Sequence, residues 1–239
     1  MKHNYKILIL TLFMWATALN ALTNSTSDLP KVFQESIPTK LNDNLQLVEV
    51  ENRCDGCNTW RYIDFYSNES REPIKREKVS VQNGYRAMYA YPNSHYFSNT
   101  KIEQSISGEY QHDKKIVVEA IKHEYNRKKE RIYAYLNEHP ELKAKMAPYK
   151  AKNKDYMELE ENNCKGYEYI SYTENVLGLT GNTISQVHIF VPEKQIIVTA
   201  YLLNQKKAHF KTIDEFLKLR QDFIESYIDF LAEHKGSKQ

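Results

Sequence analysis

Two thiols stand three positions apart in Cys54-Asp55-Gly56-Cys57. Such a pair can cycle between dithiol and disulfide. It becomes a redox catalyst when a helix N-terminus lowers the first thiol's pKa. The flanking residues point elsewhere. Leu45 to Val50 reads as a strand, and Thr59 to Tyr66 alternates Trp60, Tyr62 and Asp64 against Arg61, Ile63 and Phe65. Asp-Gly between strands is a strong signal for a two-residue hairpin turn. The spacing therefore predicts a structural disulfide. Cross-strand Cα atoms in a hydrogen-bonded pair lie about 5.5 Å apart, within the roughly 4.4–6.8 Å that a disulfide spans. Cys54 and Cys57 are expected to pair with each other, and Cys164 to stay a buried thiol. A bond from Cys164 to Cys54 or Cys57 is the chief rival.

Other reactive residue types are dispersed. Ser98-Asn99-Thr100-Lys101 fits a Ser-x-x-Lys spacing that Ser- and Lys-rich chains produce by chance. His112-Asp113 and His123-Glu124 set a carboxylate beside an imidazole, but sequence neighbours in a helix do not share a face. His188 falls inside a strand, where a hydrogen-bonded structural role is expected. Asp155, Glu158, Glu160 and Glu161 have the chemistry to hold calcium, although a solvated acidic loop is the simpler reading. The sequence contains no Gly-x-Ser-x-Gly, no His-Glu-x-x-His, no phosphate-binding glycine loop and no EF-hand loop. No catalytic residue, metal site or cofactor is expected.

The tyrosines are the more informative group. Tyr85, Tyr89, Tyr91 and Tyr96 bracket one turn, while Tyr167, Tyr169 and Tyr172 crowd one strand. Tyrosine is enriched at recognition surfaces and equally suits a half-buried strand. Tyr85, Tyr89, Tyr91, Tyr96, Tyr167 and Tyr169 are the candidate binding surface.

The elements that would position these residues follow from periodicity. Ile184 to Val191 and Gln195 to Leu203 read as a strand pair joined by Pro192-Glu193-Lys194. The second of the pair is apolar on both faces, so it is expected inside a sheet covered on both sides. Thr212 and Glu215 form a capping box. The helix that follows carries Ile213, Phe216, Leu217, Phe223, Ile224, Tyr227, Ile228 and Leu231 on one face. A second long helix is expected from an Asp113 cap, with the charged run Asn126 to Arg131 on its solvated side. Ser67 to Lys78 reads as an exposed loop and Asn83-Gly84 as a turn. Tyr96 to Ile106 reads as the returning strand. Met157 to Glu161 and Tyr167 to Thr173 read as strands divided by Asn162 to Gly166. The order strands, helix, strands, helix argues for an α+β fold. Its mainly antiparallel sheet is covered by two long helices, at about 113–138 and 212–234.

The N-terminus has the layout of a secretory signal. Lys2 and Lys6 precede a short apolar run, Ile7 to Trp15, and Ala16-Thr17-Ala18 matches the small-x-small cleavage pattern. The run falls short of the roughly 20 apolar residues of a membrane span. Residues 1–21 are expected to be removed, 22–41 to act as a tether, and 42–235 to form one α+β domain without a stable membrane span. The destination is the periplasm or the medium. Removing 1–21 leaves 31 basic against 31 acidic side chains. That balance lacks the net basic face of nucleic-acid binders.

The last third of the chain resembles the PsbP-like family. The likeness lies in Gly166-Tyr167-Glu168-Tyr169, the strands Val187 to Val191 and Ile196 to Leu203, and the helix Thr212 to Leu231. The resemblance implies a central antiparallel sheet covered by helices. The family is functionally diverse, so it implies little about activity.

By elimination the leading expectation is a non-enzymatic secreted or periplasmic interaction protein, of inhibitor or immunity type, with a protein partner. The alternatives are a binding module for a small ligand or glycan, and an enzyme. The enzyme would be a redox protein using Cys54 and Cys57, or a hydrolase.

Overall fold

A computed structural model describes residues 34–35, 37–41, 45–54, 59–90, 100–147, 156–176, 182–204 and 212–234. Among the described residues there are nine strands: β1 (Lys40–Leu41), β2 (Leu45–Cys54), β3 (Thr59–Tyr66), β4 (Pro73–Ala90), β5 (Thr100–Ser107), β6 (Met157–Cys164), β7 (Tyr167–Val176), β8 (Asn182–Val191) and β9 (Ile196–Asn204). The α-helices among the described residues are α1 (Tyr110–Glu138), the short α2 (Pro140–Met146) and α3 (Ile213–Glu233). The strands lie in the order β1-β2-β4-β5-β9-β8-β7-β6, with β3 also on β4. Every pairing is antiparallel. The α+β class and the antiparallel sheet covered by two long helices are as the periodicity predicts.

Strand β9 sits between β5 and β8, and its period-2 alternation sends apolar side chains to both faces. Ile196, Val198, Ala200 and Leu202 join Val187, Ile189 and Val191 of β8 under α3. Ile197 and Phe190 point to the other face, where Ile121 of α1 packs with Met157, Ile170 and Tyr172. Helix α3 begins at the expected capping box: the Thr212 hydroxyl accepts from the Glu215 N–H, and the Glu215 carboxylate accepts from the Thr212 N–H. Helix α1 begins at Tyr110 rather than Asp113, and its N-cap residue is Glu109. Asp113 lies in the first turn and is buried.

The first half of the sheet departs from expectation. Cys54 pairs with Gly84 and Thr59 with Val81, so β2 and β3 follow one another along the same edge of β4. Strand β5 holds the opposite edge. Strands β2 and β3 run in the same direction along β4 and do not pair with each other, so the hairpin expected between them is not formed. Residues 55–58 lie outside the described residues, so the Cys54–Cys57 bond is not described. Cys164 carries a free thiol and is half-buried rather than buried. Asn83-Gly84 is not a turn either. Strand β4 runs on through it, with register shifts toward both neighbours at this point. Two flanking ladders outweigh the local turn preference, and the irregularity is absorbed as a bulge.

Pro73 to Lys78, read as loop, is the first part of β4. Alternating charge is tolerated on a ribbon whose faces meet solvent. The β3–β4 ribbon packs along α1: the His123 ring bonds the Tyr66 carbonyl at 2.7 Å, and Lys75 pairs with Glu119 at 2.6 Å. At the other end of the sheet, β6 and β7 meet in a two-residue turn. Lys165 and Gly166 take φ of 51° and 91°, as a type I′ turn requires. The expected five-residue divider thus shrinks to two, and Asn162, Asn163 and Cys164 are strand. The last residues of the expected tether belong to the body, since Ile37 is in the core and Lys40–Leu41 pairs with β2. The leader region 1–21 lies outside the described residues. Among those described, no helix is long and apolar enough to cross a membrane.

Candidate functional site

The bulged strand and the long helix together leave a cleft of about 420 Å³. Its floor is the α1-facing side of the sheet, with Gln186 and His188 from β8, Ile197, Thr199 and Tyr201 from β9, and Ser105 and Ser107 from β5. The β3–β4 ribbon supplies Tyr62, Asp64, Tyr66, Val79 and Ser80 as one wall. Helix α1 closes the top with Asp113, Val117, Ala120, Ile121, Glu124 and Arg127, at positions three and four apart on one face. The volume falls within the roughly 300–1,000 Å³ of ligand pockets, and the mix of apolar walls with a few convergent polar groups is their usual character.

The floor is polar by design of the strand register. His188 faces Thr199 across the β8–β9 ladder. The Gln186 side-chain amide donates to His188 Nε2 at 2.9 Å. That leaves the ring proton on Nδ1, which donates to the Thr199 hydroxyl at 3.0 Å. The imidazole is thus held in one tautomer and orientation, the hydrogen-bonded strand role expected for it. On the helix side, Arg127 and Glu124 form a two-pronged pair, both bonds 2.8 Å. The Glu124 hydrogen bonds hold the guanidinium pKa above its ordinary value. Asp64 is held by Arg76 through bonds of 2.6 and 3.0 Å, chiefly through which its carboxyl pKa is lowered.

Asp113 differs from these. Its residue exposure is 2%. The carboxylate accepts from the Ser80 N–H at 3.1 Å and from the Ser107 hydroxyl. Burial, offset in part by these bonds, pushes the carboxyl above its ordinary 3.8. The folded state therefore holds the Asp113 proton more tightly than the unfolded chain does. For this group stability is greatest below pH 3.8 and falls as pH rises through the raised folded value. Asp113→Asn keeps an acceptor for Ser80 and offers Ser107 a donor without the charge. We expect the variant to melt with the wild type below pH 3.8, to gain on it as pH rises through the raised folded value, and to keep that gain above it. Melting curves across that range check this; a wild type that is the more stable protein at pH 7 would refute it.

The residues singled out from sequence lie elsewhere. Tyr85, Tyr89, Tyr167 and Tyr169 are at most 3% exposed and sit in the α3-side core. Their hydroxyls find partners at the margin: Tyr89 donates to the Pro38 carbonyl at 2.7 Å, Tyr169 to Glu160 at 2.6 Å and Tyr167 to Glu193 at 2.5 Å. These four do not form a binding surface, because β4 and β7 turn this face toward α3. Tyr91 and Tyr96 lie outside the described residues. The acidic cluster is not a free loop: Glu158 and Glu160 of β6 pair with Arg220 of α3 at 3.3 and 2.7 Å, and Glu161 pairs with Lys122 at 2.6 Å. Asp155 lies outside the described residues, and among those described no cluster has the makings of a metal site. The cleft residues Asp113, Gln186, Thr199 and Arg127 escaped sequence reading. Asp113 resembles an ordinary helix-start residue, and its partner Ser80 is 33 positions away.

The chain matches no family model, no curated protein and no solved structure.

Proposed function

We propose that the protein is an exported binding module for a small ligand, held in the cleft between α1 and the sheet. The observation that carries the reading is the cleft itself, in which an oriented His188 and a buried Asp113 converge on a cavity with apolar walls. Export is supported by the Lys2 to Ala18 leader pattern. The protein-partner reading rests on elimination alone, and four of the six tyrosines expected at a binding surface are core residues. The PsbP-like resemblance stands beside this as a fold-level proposal, supported by a strand pair leading into a C-terminal helix.

Native mass spectrometry of the protein recovered from the periplasm or medium tests the reading. The expected species is a chain lacking residues 1–21 with a small-molecule adduct that dissociates on activation. The same mass reports a Cys54–Cys57 bond as the loss of a hydrogen pair. Ala120→Trp should fill the cleft and remove the adduct. The corresponding thermal shift, about 2.7 kcal/mol for a ligand at 100 times its Kd, should vanish with it. Absence of any adduct, together with no thermal shift from a broad metabolite and sugar set, sinks the proposal.

A further inference from the structure

Four charged side chains line the cleft: Asp64, Asp113 and Glu124 against Arg127. Two of the three carboxylates are answered, Asp64 by Arg76 and Glu124 by Arg127. Asp113 is the most buried of them and meets only neutral donors, the Ser80 N–H and the Ser107 hydroxyl. Among the described residues no lysine or arginine pairs with it. We propose that the cleft takes a ligand with an apolar body and one cationic nitrogen, an ammonium or amidinium, whose N–H groups reach the Asp113 carboxylate. The inference rests on the ligand-cleft reading and assigns the chemical class of the ligand.

Three features of the cleft point to that class. First, a buried carboxylate without a counter-charge is costly, and burial does push the Asp113 pKa up. The cost falls when a cation enters the same low-dielectric site. Second, the charge is not needed to tie α1 to the sheet. An amide at position 113 can still accept from the Ser80 N–H and donate to the Ser107 oxygen. A residue that sacrifices stability for its charge marks a functional position. Third, alternative ligands fit worse. An anion would enter a cavity with an excess of carboxylates, and a neutral polar ligand would leave Asp113 unanswered. Val117, Ala120 and Ile121 on α1 face Ile197 of the sheet, so the rest of the ligand meets hydrocarbon.

Three probes of one shape decide the matter: phenethylamine, phenethyl alcohol and phenylacetate, titrated at neutral pH by calorimetry. A charge-assisted bond in a dry site predicts that the amine binds about tenfold or more tighter than the alcohol. Phenylacetate should bind weakest. Asp113→Asn should bring the amine down to the level of the alcohol. Amide NMR shifts at Ser80 and Ser107 should follow the amine and not the alcohol. The wild-type comparison stands even if the variant folds poorly. Equal binding of amine and alcohol, or preference for phenylacetate, overturns the cation assignment and leaves the ligand reading intact. Binding of none of the three also overturns it. The ligand reading then falls only if the exported protein lacks the adduct as well.

Discussion

Phe223→Asp should leave no cooperatively folded protein at 25 °C. Phe223 is fully buried in α3, between the sheet residues of β8 and β9 and its own neighbours Ile224 and Tyr227. Deleting a buried aromatic ring alone costs about 3–5 kcal/mol. Placing a carboxylate among these apolar side chains adds several kcal/mol more. The sum meets or exceeds the roughly 5–15 kcal/mol by which a domain is stable. Lys218→Ala, on the exposed side of the same helix, should change stability by less than about 0.5 kcal/mol. Circular dichroism melts of the two variants test the packing. A Phe223→Asp protein with wild-type Tm would mean that α3 does not cover the sheet.

The second large effect is expected at Arg220, whose side chain is only 4% exposed although it is charged. Its guanidinium donates to Glu160, Glu158 and the Thr173 hydroxyl, while Nε has no partner. Removing both carboxylates, as Glu158→Ala with Glu160→Ala, strands a buried cation. That should cost about 3–5 kcal/mol. Each single replacement should cost much less, because the remaining carboxylate keeps the guanidinium paired. The two losses are therefore coupled by about 0.5–3 kcal/mol. Adding Arg220→Met to the double variant should recover most of the loss, since the stranded charge disappears and a flexible apolar side chain takes its volume. Urea denaturation measures the wild type and all four variants. A double variant within about 1 kcal/mol of wild type would show that solvent reaches the guanidinium.

These two sites also separate what local pattern can and cannot report. Phe223 was legible from its spacing with Phe216, Ile224, Tyr227 and Ile228, because a helix that buries one face must repeat every 3.6 residues. The same logic exposed β8 and β9, the capping box at Thr212 and Glu215, and the double-sided burial of β9. Helix α1 was legible in extent but not in role. Its charged run Asn126 to Arg131 reads as a solvated face, yet Arg127 lines the cleft and Lys128 reaches Glu174 on β7 at 2.9 Å.

The sequence by itself determined the α+β class, the two covering helices and the C-terminal strand pair. Each of these is a statement about one segment and the period of its apolar residues. Tertiary structure alone decided the rest. The Asp55-Gly56 and Asn83-Gly84 signals describe a few bonds each, whereas long ladders pair β2 and β3 with β4 rather than with each other and carry β4 through Asn83-Gly84. Tyr85, Tyr89, Tyr167 and Tyr169 have the same composition on a surface as in a core, and the direction of the pleat chose the core. The acidic residues of β6 became ion-pair partners because α3 brings Arg220 over them. The cleft depends on β3, β4, β5, β8, β9 and α1 at once, so no stretch of sequence contains it. Asp113 acquires its meaning only where Ser80 and Ser107 approach it from other elements while, among the described residues, no lysine or arginine pairs with it.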